Sequence, residues 1–232
     1  MTPIHLVVRD LTSMARTEST AARNVLTAAD YQQLSSRAEV RDRQLLMRGL
    51  RRRLLAEQLD CDPAALVFAQ TADGKPWLPQ QRLRFNLSHS RNMLALAWSQ
   101  DDIELGVDIE DRDRRLRMQE LAAHCFSPEE ISIWETQGSS KDQWLLIWTR
   151  KEALLKCAGI GLRMALPKVD TAQMDKQGNV TQGQLAPMTV KSWQLPGQIL
   201  SLAWNKTAAN ATHIVLDAAG AHAQPAQLTS AA

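Results

Sequence analysis

The sequence predicts an α+β protein made of two similar α+β subdomains in a pseudo-twofold arrangement. Three observations predict it. The apolar stretch MLALAW at 93–98 returns as ILSLAW at 199–204, 106 residues later. The same offset carries residues 43–55, the core of an arginine-rich helical segment, onto TRKEALLKCAGIG at 149–161. Two kinds of element in one order at one spacing point to duplicated halves. Finally, 232 residues suffice for two domains of about 110 residues each, and a composition 44% hydrophobic and 22% charged is ordinary for a globular chain. The expected division is an N-terminal subdomain at 1–102, a C-terminal subdomain at 103–217 that carries the acidic candidate site, and a flexible tail at 218–232.

Along the chain, residues 4–8 predict a short strand. Residues 39–59 contain no Pro and one Gly, and Leu46, Leu50 and Leu54 recur every fourth position among arginines. That spacing predicts an amphipathic helix. Asp62-Pro63 interrupts the chain, 66–68 predicts a strand, and Asp73-Gly74-Lys75-Pro76 a turn. FNLSHS at 85–90 leads into the strand at 93–98, and Asp101-Asp102 turns the chain into the strand ELGVDIE. Ser127 with Pro128 and Glu130 has the form of a capped helix start. A helix over 143–157 is stopped by Gly159 and Gly161. ILSLAW is the last expected strand, and the Ala-, Gln-, Thr- and Ser-rich end is expected to fray.

The net charge of +2 argues against a nucleic-acid partner. Charge is uneven locally, however: Arg37, Arg41, Arg43, Arg48, Arg51, Arg52 and Arg53 crowd one segment against Glu39 and Asp42, a candidate anion-binding surface. Cys61, Cys125 and Cys157 are far apart and lack any CxxC, which argues against a disulfide framework or zinc site and for a reducing compartment. MTPIHLVVRDLTS has no basic leader region or long apolar core, and no run of about 18 apolar residues occurs. The expectation is a soluble cytoplasmic protein without membrane contact.

GVDIE at 106–110 holds the first chemistry. Strand residues two apart share a face, so Asp108 and Glu110 project together, opposite Val107 and Ile109. Two adjacent carboxylates suit a hard divalent cation and a phosphate-bearing substrate. The plainer alternative is a strand ending in solvated acids. In WTRKEALLK at 148–156, Glu152 and Lys156 lie four apart on one helical face. They are either an ordinary surface pair or a third carboxylate beside a phosphate-neutralising lysine, with Lys151 adjacent. Ser88 and His89 are neighbours on a strand and so face opposite ways. That is poor for a hydrolase couple but compatible with anion contacts; the alternative is a polar turn. Lys75, in its turn, is uninformative alone.

GKPWL at 74–78, FNLSHS at 85–90, GVDIE at 106–110, FSPEE at 126–130 and WTRKEALLKCAGIGL at 148–162 together resemble the signature of the 4′-phosphopantetheinyl transferase superfamily. The resemblance is to the longer, two-halved type that acts on carrier proteins of fatty-acid, polyketide and peptide synthases. It spans most of residues 43–162. It implies the 4′-phosphopantetheinyl transferase fold and transfer of phosphopantetheine from coenzyme A, bound between the halves, to a serine of an apo acyl or peptidyl carrier protein, with release of 3′,5′-ADP. By that resemblance Asp108, Glu110 and Glu152 hold Mg²⁺, with Mn²⁺ as an alternative ion. Glu152 is also the general base, and Lys156, with Lys151, faces the pyrophosphate. The coenzyme A contacts implied are Ser88, His89, Arg43 and Arg52, with Arg48 as a third arginine, at the 3′-phosphate, and Lys75 near the adenine and its phosphates. The nucleophile belongs to the partner, and a monomer is implied because two halves replace a subunit interface. The competing readings are a metal-dependent nuclease using the same acids and a non-catalytic coenzyme-A-binding module.

Overall fold

A computed structural model describes residues 3–14, 16–180, 185, 187–205, 213–218 and 224–225, with Leu162, Gln224 and Pro225 described by their backbone alone. Helices α1 (Arg16–Asn24), α2 (Ala38–Leu59), α3 (Met118–Cys125), α4 (Pro128–Thr136) and α5 (Lys141–Ala158) accompany two main sheets. One sheet is formed by β1 (Ile4–Asp10), β4 (Arg84–Ser90), β5 (Met93–Ser99) and β10 (Ile214–Asp217), in the order β10-β1-β5-β4. The other contains β6 (Leu105–Asp111), β8 (Met188–Leu195), β9 (Gln198–Trp204) and β11 (Gln224–Pro225), in the order β11-β8-β9-β6, with β7 (Asn179–Val180) beside β8. A small ladder joins β2 (Ala69–Gln70) and β3 (Pro76–Trp77). The α+β repeat is visible in the strand orders: β1-β5-β4 corresponds to β6-β9-β8, and α2 corresponds to α5.

Alternation along the strands builds the layers. Leu6 and Val8 of β1, Ala95 and Ala97 of β5, Val107 and Ile109 of β6, and Leu200 and Leu202 of β9 meet in one core between the sheets. The intervening residues face outward to the helices. Val7, Leu96 and Trp98 pack with Leu55 and Ala56 of α2. Ile199 and Ala203 join the clusters formed by α5. The order of layers is therefore helix, sheet, sheet, helix. Both faces of each central strand are buried, which is why MLALAW and ILSLAW are nearly continuous apolar runs.

The helix boundaries follow their caps. The predicted start at Ser127 is a capping box: its Oγ accepts from the Glu130 amide at 3.1 Å, and Glu130 accepts from the Ser127 amide at 2.8 Å. Gly159, at φ 68°, ends α5 in the left-handed conformation that glycine adopts without strain.

Several expectations are corrected. Residues 66–68 form no strand, and only Ala69–Gln70 pairs, with β3. Leu66 is buried but its carbonyl is taken by Arg52, and Val67 is 62% exposed, so the apolar triplet is not a strand core. Strand β10, expected within the 103–217 half, pairs in parallel with β1 of the other sheet. Of the expected tail, only Ala218 and β11 lie among the described residues, and β11 pairs with β8; the remainder lies outside them.

Strand β6 and helix α5 touch backbone to backbone at Gly106. A Cβ built there would lie 2.0 Å from the Ala153 carbonyl oxygen and 2.3 Å from the Cys157 amide nitrogen. Gly106→Ala is therefore expected to destabilise the fold by about 1–3 kcal/mol or more, as overpacking against rigid surroundings does. Urea denaturation of the variant beside wild type measures this, and an unchanged midpoint would contradict the contact.

Candidate active site

The close approach at Gly106 sets β6 against α5 so that two short rows of side chains meet. Gly106, Asp108 and Glu110 lie on the face of β6 turned toward the helix, while Val107 and Ile109 fill the core between the sheets. Trp148, Glu152 and Lys156 recur every fourth residue and share one face of α5. The rows run in opposite directions. Lys156 at one end meets Asp108, Trp148 at the other end meets Glu110, and Glu152 lies between them in the helix row.

At the first end, Lys156 Nζ lies 2.6 Å from Asp108 Oδ1 and also donates to Ser88 Oγ at 2.9 Å and to the Val107 carbonyl at 3.2 Å. Ser88 Oγ donates to the same Asp108 oxygen at 2.9 Å. Asp108 Oδ2 is buried with no hydrogen-bond partner among the described residues. At the second end, Glu110 Oε1 accepts from Trp148 Nε1 at 3.2 Å and pairs with Arg114. Burial first, and then the Asp108 charge, pushes both the Glu110 and the Glu152 carboxyls above the usual range. Lys156 opposes the shift at Glu152, whereas Arg114 and Trp148 oppose it at Glu110.

Among the described residues, no three acidic, histidine or cysteine side chains stand together at the spacing of a formed metal site. The donor set nevertheless fits a hard divalent cation. Three carboxylates repel one another across a partly buried space, and one buried oxygen of Asp108 lacks any donor. Buried polar atoms are rarely left so.

A cavity of about 190 Å³ adjoins the cluster and is shared by the two halves. Gly74, Lys75 and Asn86 line it from one side, and Leu155, Lys156 and Gly159 from the other. Asn86 also links the sheets, because its Oδ1 accepts from the Val107 amide at 2.8 Å. Lys75 Nζ is held by Glu104 at 2.8 Å and by the Leu105 carbonyl at 3.1 Å. His89 keeps an exposed edge on β4. Partial burial of its ring, followed by the nearby cations Lys156 and Arg43, holds its pKa below the usual imidazole value. Arg43 thus acts electrostatically on His89.

Other expected contacts are not in the site. Arg52 is 2% exposed, and its guanidinium is spent on Asp30 (2.7 Å), the Pro63 and Leu66 carbonyls and Thr27 Oγ1. Arg48 similarly donates to the Asp30 and Gln32 carbonyls. Lys151 is fully buried, 2.5 Å from Glu130, and also donates to the Leu166 and Val169 carbonyls. It points away from Glu152 because adjacent helical residues diverge by about 100°. Ser88 and His89 are separated by strand alternation: Ser88 joins Asp108 and Lys156, so it is not beside His89 at one phosphate. Trp148 and Arg114 are the residues that sequence reasoning missed. The i,i+4 spacing from Glu152 could have found Trp148. Arg114 lies in a loop, where no periodicity marks it.

Residues 104–203 match the family model described as the 4′-phosphopantetheinyl transferase superfamily, a span that includes Asp108, Glu110, Glu152 and Lys156. The chain is similar to a Synechocystis sp. protein that carries a provisional 4′-phosphopantetheinyl transferase name, at 36% identity over 57% of this chain and 56% of that protein. A Bacillus subtilis 4′-phosphopantetheinyl transferase is 32% identical over 48% of this chain and 49% of its own length. A Schizosaccharomyces pombe L-aminoadipate-semialdehyde dehydrogenase-phosphopantetheinyl transferase is 31% identical over 49% and 50%. The chain spans about half the length of the curated relatives it matches. The superfamily resemblance read from the motifs is thus supported by the family model and by these relatives alike.

The raised carboxyls carry a sign for stability. A carboxyl whose folded pKa lies above its unfolded value of 4.5 keeps its proton longer in the folded state. Stability then falls as pH rises from about 4.5 through the folded pKa. Glu110→Gln removes one such group and relieves Glu152, so its loss of stability over that window should be shallower than wild type in chelator. Thermal melts at a series of pH values test this; parallel curves would show that Glu110 contributes no such dependence.

Proposed function

We propose that the protein transfers 4′-phosphopantetheine from coenzyme A to a serine of an apo acyl or peptidyl carrier protein. The observation that carries this reading is the convergence of Asp108, Glu110, Glu152 and Lys156 beside a cavity shared by the two halves, within the matched span. The roles follow from the side chains. Arg43 and His89, cationic or hydrogen-bonding groups on the outer side of the cleft, suit the ribose 3′-phosphate. Lys75 and the Gly74 turn wall the cavity where a nucleoside would lie. Lys156, already held against Asp108, supplies positive charge to the pyrophosphate, where charge accumulates during transfer.

Asp108, Glu110 and Glu152 would hold Mg²⁺, or Mn²⁺ in its place. The bound ion supplies neutralisation of pyrophosphate charge. The protein's own chemistry is proton removal and orientation. The carrier serine Oγ forms a bond to the β-phosphorus as the bond to the bridging pyrophosphate oxygen breaks. Its proton passes to Glu152, and 3′,5′-ADP leaves. Glu152 suits the base because its side chain has no hydrogen-bond partner among the described residues and its raised pKa brings its basicity closer to neutral. Lys151 and Arg52 take no part in this scheme: their geometry supports structural roles.

Three unpaired cysteines, two of them buried, support a cytoplasmic location, and the packing of both halves within one chain supports a monomer.

Mass spectrometry of apo-carrier proteins incubated with the protein, coenzyme A and Mg²⁺ should show the gain of one phosphopantetheine on serine. No gain on any acyl or peptidyl carrier would overturn the reading. Glu152→Gln should keep coenzyme A binding while turnover falls by about 100-fold or more, the upper range for loss of a general base; turnover near wild type would assign the proton elsewhere. Arg43→Ala should erase most of the preference for coenzyme A over dephospho-coenzyme A in calorimetry. Arg52→Ala should instead lower the melting temperature and leave that preference intact.

A further inference from the structure

The two strand carboxylates are engaged in the same way. Asp108 gives one oxygen, Oδ1, to Lys156 and Ser88 and leaves Oδ2 without a donor. Glu110 gives one oxygen, Oε1, to Trp148 and Arg114, and Oε2 receives no hydrogen bond among the described residues. A carboxylate that must bind a cation needs this division. One oxygen is oriented by fixed donors, and the other stays open.

The donors at Glu110 are unequal. The Arg114 side chain is 44% exposed and sits in the loop just beyond β6, where water and salt compete for it. Trp148 is fixed. Its ring stacks on Trp144 at 5.5 Å with an interplanar angle of 16°, and it packs against the buried cluster that contains Phe126 and Trp144. Trp144 is itself anchored, with its Nε1 donating to the Met118 carbonyl at 3.1 Å. The Trp148 N–H therefore emerges at the site from a packed wall. Within its helix row it stands one turn before Glu152, as Lys156 stands one turn after.

We propose that Trp148 is a positioning residue of the metal centre: its indole N–H fixes one oxygen of Glu110 and thereby presents the other to the cation. This rests on the assignment of Asp108, Glu110 and Glu152 as the cation's ligands. It puts a fixed neutral donor beside the charged Arg114 at Glu110, as Ser88 stands beside the charged Lys156 at Asp108. A neutral donor orients a carboxylate without cancelling the negative charge that attracts the ion. Packing of the Trp148 ring alone would require only an aromatic group of similar shape, so the N–H separates the two roles.

The test uses Mn²⁺ alone, with free ion counted by electron paramagnetic resonance in the full chain without coenzyme A or carrier. Trp148→Phe keeps a smaller aromatic ring against Trp144 and removes the donor. Its Mn²⁺ dissociation constant should rise by about tenfold, the lower range for loss of an outer partner of a metal ligand. Its coenzyme A affinity in chelator should be unchanged. In the Glu110→Gln background, Trp148→Phe should have no further effect on Mn²⁺. If wild type binds no Mn²⁺, the ligand assignment fails and the proposal falls with it. If wild type binds and Trp148→Phe binds equally well, the assignment stands and the role of Trp148 is overturned, as it is if the two substitutions weaken binding independently. Should Trp148→Phe not fold, the Trp148 indole N–H resonance in ¹⁵N-labelled protein serves instead. It should move upfield in Glu110→Gln, and an unmoved resonance would overturn the proposal.

Discussion

The contact on which the rest depends is the one between the backbone at Gly106 and the backbone of α5 at Ala153 and Cys157. Helices normally pack on sheets with side chains between them, about 10 Å apart, the distance at which stacked sheets also sit. Here one residue without a Cβ lets the helix settle onto the strand. That distance decides what the neighbouring side chains can do. Asp108 reaches Lys156, Glu110 reaches Trp148, and three carboxylates couple across a partly buried space. A bulkier residue at 106 would hold the rows apart.

A second device keeps α5 in place. Lys151 and Glu130 are both fully buried and 2.5 Å apart. Every remaining polar position around them is used: the Leu166 and Val169 carbonyls by the lysine, and the Ser127 and Thr171 amides and the Thr171 hydroxyl by the glutamate. Burial of two charges is costly, and removing one partner of such a pair costs on the order of 3–5 kcal/mol. The pair joins α5 to the start of α4 and to the segment after α5 on the face away from the candidate site. Arg52 does similar work in the other half, where Asp30 and three further acceptors bind α2 to the segments on either side of it. Each half thus spends cations of its main helix on its own architecture. The next functional cation, Lys156 or Arg43, is left facing the cleft.

The candidate site is an electrostatically frustrated place in the fold. Asp108 carries an orphaned oxygen, and burial and repulsion raise Glu110 and Glu152. The fold tolerates this because Gly106, Lys151 and the core between the sheets over-determine where β6 and α5 lie. A cation would convert the same repulsion into attraction. That gives the arrangement a chemical purpose consistent with the superfamily whose model it matches.

Much was legible in the sequence because period and spacing are local properties. The two-residue period placed Asp108 and Glu110 on one face, opposite Val107 and Ile109. The four-residue period put Glu152 and Lys156 together, and Ser127 with Glu130 marked a helix start. The repeated apolar strands disclosed two halves because a strand buried on both faces must be apolar throughout. What only the tertiary structure decided was the use of each charge. Lys151 and Lys156 look alike in WTRKEALLK, as do Arg43 and Arg52 in their helix. A side chain's role depends on which backbone carbonyls and carboxylates meet it from distant segments, and no local period encodes those. The four-residue period puts Trp148 in the row of Glu152 and Lys156, but it reads as a core aromatic until Glu110, 38 residues earlier, is brought to its nitrogen. Strand β10 pairs across the expected boundary because strands of the right polarity seek a free edge wherever the chain presents one.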